Sequence, residues 1–403
     1  MELMNNAFQK AEPILQTLHR NGYQAYFVGG AVRDFLIGRP TGDIDIATSA
    51  KPEQVQELFE KVIPVGIEHG TVMVRYDEES YEVTTFRTEG DYHDYRHPDH
   101  VHFVKDIYED ISRRDFTMNA IAMGIDGELI DPYDGLNAIT KGEIETVGKP
   151  DDRFEEDPLR MMRALRFVSQ LGFTLSSTTY QAIQQHAPLL ENIAVERLSI
   201  EFEKLIQGHH ASKAWPLFIH SNTDQHLPVF KEEPSLMRYC ATKKWRALGD
   251  FAEALCIFHL FEPTFPIEYW VKEWKLSNKI KRKASLLVSS YNEWHVGNEL
   301  WTIYKLGFEL LSPFVRISNL MRAKDEIDIK TAKKMFEALP IHRREELSIN
   351  GKDIRSWFSN HPPGPWIESM LVTIERLVIE GHITNEKEIL KERVLQWNPQ
   401  EED

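Results

Sequence analysis

Apolar and polar residues alternate at period two over residues 43–47 (DIDIA), the pattern of a strand with one buried face. Runs rich in β-branched and aromatic residues at 24–28, 71–76 and 81–86 predict three more strands, the first ending at Gly29-Gly30. Between them Val55, Leu58, Phe59 and Val62 fall on one face of a helix predicted over 52–62. Residues 88–100 carry little that is apolar beyond two tyrosines and predict a long exposed loop. From Pro150 onward the periodicity is helical, without a strand series, and tryptophans become frequent. The pattern predicts an α/β head over residues 1–150 followed by all-α domains.

Composition narrows this picture. At 403 residues the chain is too long for one core, and 42% apolar with 27% charged residues describes an ordinary globular protein. The start, MELMNNAFQKAEP, has neither the basic nor the apolar segment of a signal peptide. No run of about 18 apolar residues is present, so no membrane partner is expected. Cys240 and Cys256 share no metal-ligand spacing and read as buried thiols of a reducing, cytoplasmic compartment. A net charge of −16 speaks at first against nucleic acid. Phosphate contacts need only local positive charge, however. Two clusters supply it: Lys243, Lys244 and Arg246, then Lys275, Lys279, Lys281, Arg282 and Lys283.

Asp43 and Asp45, two apart in a strand, point to one face while Ile44 and Ile46 point into a core. Paired carboxylates repel each other unless a cation lies between them, and Mg²⁺ takes such oxygen ligands while sharing them with phosphates. D-x-D alone is common on surface strands; its neighbourhood raises its weight. Just upstream, Gly29-Gly30-Ala31-Val32-Arg33-Asp34 carries a strand into a helix, where glycine lets backbone N–H groups approach a phosphate and Arg33 adds charge.

Glu156-Asp157-Pro158-Leu159-Arg160 opens another helix, with Asp157 as its cap and Arg163 and Arg166 continuing a stripe along it. The stripe has no interleaved carboxylate, unusual for a merely solvated face. Hydrogen-bond inventory suggests a use. Cytosine and adenine both present a ring-nitrogen acceptor beside an amino donor, whereas guanine and uracil reverse the order. Asp157 can accept from the amino group while Arg160 donates to the ring nitrogen, so this pair admits C and A and refuses G and U.

Gly29-Gly30 with Arg33-Asp34, followed by Gly42-Asp43-Ile44-Asp45, resembles the head signature of polymerase-β-type nucleotidyltransferases, in the bacterial branch of CCA-adding enzymes and poly(A) polymerases. Residues 111–120 (ISRRDFTMNA), where an apolar run after Phe116 suggests a docked helix, resemble its sugar-and-phosphate motif. Glu156-Asp157-x-x-Arg160 resembles the nucleotide-selecting motif of class II CCA-adding enzymes, and residues 195–205 resemble the motif after it, which braces the site without a catalytic role. Residues 347–353 (LSINGKD) and Pro363-Gly364-Pro365-Trp366 look like the tail domain.

The resemblance implies a polymerase-β-type head with a small mixed sheet at 1–150, a helical neck that recognises the base at 151–210, and tRNA-binding helical regions at 211–300 and 301–403. It implies Asp43 and Asp45 as catalytic ligands of Mg²⁺, with Glu82 a candidate third carboxylate. Gly30, Arg33, Arg114, Arg163 and Arg166 join Asp157 and Arg160 as nucleotide contacts; Asp115 and Asn119 are weaker candidates for the ribose. The implied partners are the acceptor end and elbow of tRNA, CTP and ATP, with monomer or homodimer left open.

Products within the family differ. Poly(A) polymerases of the branch carry a basic stretch where residues 65–70 (VGIEHG) are acidic here, and CC-adding enzymes lack the loop that residues 88–100 retain. Both features favour complete CCA addition, while A-only addition stays open. A hydrolase metal site at His93, His97, His100 and His102 matches no zinc spacing. A non-catalytic RNA-binding role would leave the aspartates without a purpose.

Overall fold

A computed structural model describes residues 6–90, 101–243, 245–321 and 327–396. The chain divides into two compact units, Met1–Thr242 and Lys243–Asp403.

The first unit is built on β1 (Ala25–Val28), β2 (Asp45–Thr48), β3 (Val62–Gly66), β4 (Thr71–Tyr76) and β5 (Glu79–Thr85). A short antiparallel ribbon follows, β6 (Arg87–Glu89) with β7 (Val101–Phe103), and then β8 (Ala122–Met123) and β9 (Leu129–Ile130). Seven of these strands form one mixed sheet in the order β3-β4-β5-β2-β1-β8-β9, in which only β2 and β5 pair in parallel.

The alternation in residues 43–47 sorts the two faces. Ile44 and Ile46 join Phe8, Phe27, Val32 and Val55 in a core beneath α1 (Asn6–Arg20), α2 (Gly30–Leu36) and α3 (Pro52–Leu58). Full burial of each such large side chain stabilises by roughly 1.5–3 kcal/mol. Ala47 lies on the other face with Val28 and Phe86, packed against Ile107 and Ile111 of α4 (Ile107–Ser112). Asp45 shares that second face with Ala47.

Three local expectations are corrected. The helix at 52–62 stops at Leu58, because Phe59 turns to extended backbone, and Val62 instead opens β3. That strand hides from a periodicity reading: it lies at the sheet edge, contains Pro64 and exposes Ile63 and Val65. Thr88 and Glu89 belong to β6 rather than to a loop, while residues 91–100 lie outside the described residues, His93, His97 and His100 with them. Finally, the segment after Phe116 forms only a 3₁₀ turn, Thr117–Asn119, with Phe116 bridged to Thr146.

Helices complete the unit: α5 (Gly135–Lys141), α6 (Pro150–Glu156), α7 (Leu159–Leu171), α8 (Ser177–His186), α9 (Val195–Ile206), α10 (Ala211–His220) and α11 (Pro234–Ala241). A two-residue parallel pair, β10 (Glu143–Ile144) with β11 (Thr174–Leu175), is tucked among them. Helix α7 packs against both α9 and α10.

The second unit is helical among its described residues, from α12 (Phe251–Phe261) and α13 (Ile267–Glu273) through α14 (Asn278–His295) and α15 (Glu299–Met321, interrupted at Gly307). Phe251, Trp270 and Trp274 are fully buried in it. Its lysines are partly spent on structure: Lys281 pairs with Glu268, Lys283 with Asp250, and Lys243 lies over Phe261. Lys279 and Arg282 stay exposed, and Lys244 lies outside the described residues. Cys240 and Cys256 are both buried, and neither is in a disulfide among the described residues. Among the described residues no helix is long and apolar enough to cross a membrane.

Candidate active site

Asp45 is the first residue of β2, and Asp43 stands just ahead of the strand, exposed. The parallel register of β2 on β5 places Glu82 directly beside Asp45. Burial, then the Glu82 charge, then Asp43 push the Asp45 carboxyl up to about 6, with Arg114 pulling the other way. Among the described residues no three His, Cys, Asp or Glu side chains converge closely enough to hold a metal by themselves. Asp43, Asp45 and Glu82 offer carboxylate oxygens, the donors a hard divalent cation takes.

Gly29 makes the floor of this region. It precedes α2 with φ 74, and a Cβ there would lie 3.3 Å from Arg114 Nη1 and 3.4 Å from Asp45 Oδ2. The positive φ favours glycine, and a side chain there would also press the Arg114 and Asp45 side chains by a few tenths of an ångström. Arg114 donates to Asp110, whose carboxylate is 1% exposed while the Arg114 side chain is 18% exposed. The acid lies behind and the guanidinium in front.

From Gly30 the chain turns into α2 and delivers Arg33, which donates to Asp34 and, over 2.7 Å, to Asn119 Oδ1. Asn119 Nδ2 donates to Asp115 Oδ1, and Arg163 Nε donates to Asp115 Oδ2. A continuous hydrogen-bonded chain thereby joins α2, the 3₁₀ turn and α7. Burial pulls the Asp115 carboxyl up, but Arg163, the Asn119 amide and Arg160 together hold it well below the usual carboxylate range. Asp115 is therefore a fixed anion organising arginines.

Asp157 is the C-cap of α6 and stands one residue ahead of Pro158, the N-cap of α7, so it is not the cap expected of it; its Oδ1 nevertheless accepts from the Leu159 N–H at the start of α7. Asp157 Oδ2 accepts from Arg197 Nη2 at 2.7 Å. Arg160 donates through Nη1 to Glu156 and to the Arg153 carbonyl, and through Nη2 to the Arg113 carbonyl. Among the described residues Nε–H and one Nη2 hydrogen of Arg160 remain for a ligand, as do lone pairs on Asp157. Arg166 is buried and paired with Glu201 of α9. Burial lowers its guanidinium to about 10, Arg163 and Arg33 adding to the fall and Glu201 opposing it.

The arginine stripe is thus not free of carboxylates. Arg160, Arg163 and Arg166 each have one: Glu156 in the preceding helix, Asp115 in the head, Glu201 in α9.

Comparison with known proteins matches residues 25–145 to the poly(A) polymerase head domain, residues 172–233 to the RNA- and SrmB-binding site of polymerase A, and residues 254–394 to tRNA nucleotidyltransferase domain 2. The CCA-adding enzyme of Oceanobacillus iheyensis is 43% identical over 394 residues, 98% of each chain. The chain belongs to the CCA-adding enzyme family. Its relative in a Geobacillus species is also 43% identical, over 406 residues. The crystal structure of the Bacillus stearothermophilus CCA-adding enzyme in complex with CTP superposes with a TM-score of 0.84 at 41% identity, covering 98% of both chains.

Sequence reasoning gave no site role to four residues of this CCA-adding family member, although Glu156, Arg197 and Glu201 lie within motifs it singled out. Glu156 and Asp110 stand four residues before Arg160 and Arg114, a helical spacing visible in sequence. Arg197, on Asp157, was signalled only by the cluster at 195–205. Glu201, paired with Arg166 across 35 positions, had no local signal of that role.

Proposed function

We propose that the protein adds C, C and A in turn to the 3′ end of tRNA from CTP and ATP, without a nucleic-acid template and with release of pyrophosphate. The observation that carries the reading is the placement of Asp45, raised to about 6 beside Glu82, facing Arg114 across Gly29. The CTP held by the Bacillus stearothermophilus relative and the tRNA nucleotidyltransferase domain at 254–394 support the substrates. The head over 1–150 would carry the chemistry, the neck over 151–210 the base, and regions 211–300 and 301–403 the tRNA. A cytoplasmic location fits two buried cysteines outside any disulfide among the described residues.

Asp43 and Asp45 are the residues that would hold Mg²⁺, which when bound activates the attacking hydroxyl and offsets charge on the departing pyrophosphate. Gly30, Arg33, Arg114, Arg163 and Arg166 surround the phosphates and sugar, with Asp115 and Asn119 fixing the arginines. Asp157, oriented by Arg197, accepts from the amino group of C or A, and Arg160 donates to the ring nitrogen.

With tRNA lacking its last three nucleotides, CTP alone should extend the chain by two residues, and ATP added afterwards by one more. A chelator should stop both steps. Absence of extension, or long A tails when ATP is supplied, would overturn the proposal.

Glu82→Gln, which removes the neighbouring charge but keeps the strand, is expected to lower kcat by about 10- to 100-fold as a supporting ligand-shell group would. A kcat within about twofold of the parent would assign Glu82 to the sheet alone.

A further inference from the structure

Three of the arginines placed around the nucleotide share one aromatic ring. The guanidinium carbons of Arg166, Arg33 and Arg163 lie 4.3, 5.0 and 5.8 Å from the centroid of Phe167. Arg33 comes from α2 and the others from α7, so the ring joins two elements distant in sequence. Phe167 itself is 3% exposed and stands edge-on to the fully buried Phe116, with centroids 5.7 Å apart and an interplanar angle of 87°. A ring sealed in this way cannot stack on an incoming base.

Packing alone would be served by leucine. What leucine lacks is the negative π-face, which attracts each guanidinium without cancelling its charge as a further carboxylate would. Each arginine already has its own acid: Asp34 for Arg33, Asp115 for Arg163, Glu201 for Arg166. At Arg163 the acid lies deeper than its partner, 10% against 34% exposed, so the cationic group faces outward. Three like charges converging on one ring repel one another, a cost that a bound anion relieves, and they form a preorganised field for that anion.

We infer that Phe167 is a positioning residue that preassembles Arg33, Arg163 and Arg166 for the phosphates common to CTP and ATP. The inference rests on the reading of those arginines as nucleotide contacts. It deepens that reading by predicting a defect blind to the base. Loosening the ring's hold weakens both nucleotides alike and leaves the choice between bases untouched, because the guanidiniums over the ring are Arg33, Arg163 and Arg166 and not the base-reading Arg160.

The test compares Phe167→Leu with a series in which phenylalanine at 167 is replaced by progressively fluorinated phenylalanine. Fluorination drains the π-face at almost constant volume, so folding, followed by melting temperature, is held while the cation attraction fades. KM for CTP and for ATP should rise together, to about tenfold in the most fluorinated and leucine variants, with kcat within about twofold. Inhibition by pyrophosphate should weaken by the same factor. Unchanged KM across the series, a fall confined to kcat, or a changed C-to-U preference would overturn the platform. Arg33→Ala and Arg163→Ala separate the two levels. If they too leave KM unchanged while the parent incorporates CTP, the nucleotide-contact reading is at fault. If they raise KM and the ring variants do not, only the platform is.

Discussion

Asp45→Asn is expected to lower kcat for nucleotide transfer by about 10³-fold while tRNA binding and the fold persist. Asparagine keeps the shape of the first β2 side chain and removes the charge that draws a divalent cation. Asp43→Ala should share the loss of transfer. Asp45 also makes a thermodynamic prediction with a definite sign. Its carboxyl is pushed from 3.8 up to about 6 in the folded protein, by burial first and by Glu82 next. Between those two values the folded state binds more protons than the unfolded one, so stability contributed by this group falls as pH rises through the window. At pH 7 the ionised carboxylate is a liability that a cation relieves. Mg²⁺ should therefore raise the melting temperature at pH 7 to 8 and lose that effect as pH drops below about 6. Asp45→Asn should melt higher than the parent without metal and gain nothing from its addition. A variant as responsive to Mg²⁺ as the parent would remove Asp45 from the metal site.

Arg160→Ala should reduce discrimination of C and A over U and G by roughly 10²-fold, within the about 1–3 kcal/mol that a good base-edge hydrogen-bonding pair contributes to discrimination. The geometry makes the prediction specific. Arg160 commits three N–H groups to Glu156 and two carbonyls, which hold its plane, and retains two for a ring nitrogen. Asp157→Asn is the complementary change. Leu159 N–H and Arg197 each donate to a different oxygen of Asp157, and an amide can satisfy only one of them. Turned with its NH₂ toward the base, it meets the carbonyl of U or G, so misincorporation should rise for both. Sequenced products report this directly, and unchanged fidelity in both variants would sink the base-reading role.

The parts of the fold legible in sequence were those with a strong local signal. Alternation placed Ile44 and Ile46 in the core and Asp45 on the opposite face, and the strand expected at 71–76 has those bounds as β4. The helix expected at 52–62 overran because Val62 happens to fall in helical phase, although chain direction changes at Phe59. Edge strand β3 escaped because proline and exposed apolar residues blur its alternation.

Site partners follow the same division. Glu156 with Arg160 is an i,i+4 pair that the sequence displays. Asp115 with Arg163, Asp157 with Arg197 and Glu201 with Arg166 span 48, 40 and 35 positions, and only packing of α7 on α9 and on the head brings them together. Phe167 looks in sequence like one more apolar residue of α7 beside Arg163 and Arg166; that Arg33 joins them on its ring is visible only in space.

The most direct measurement offers CTP, ATP, UTP and GTP together to tRNA lacking its last three nucleotides, with and without Mg²⁺, and sequences the 3′ ends. Protein side chains acting as the template predict metal-dependent products that end in CCA, with U and G excluded. Random or U- and G-containing ends, or extension indifferent to metal, would contradict it.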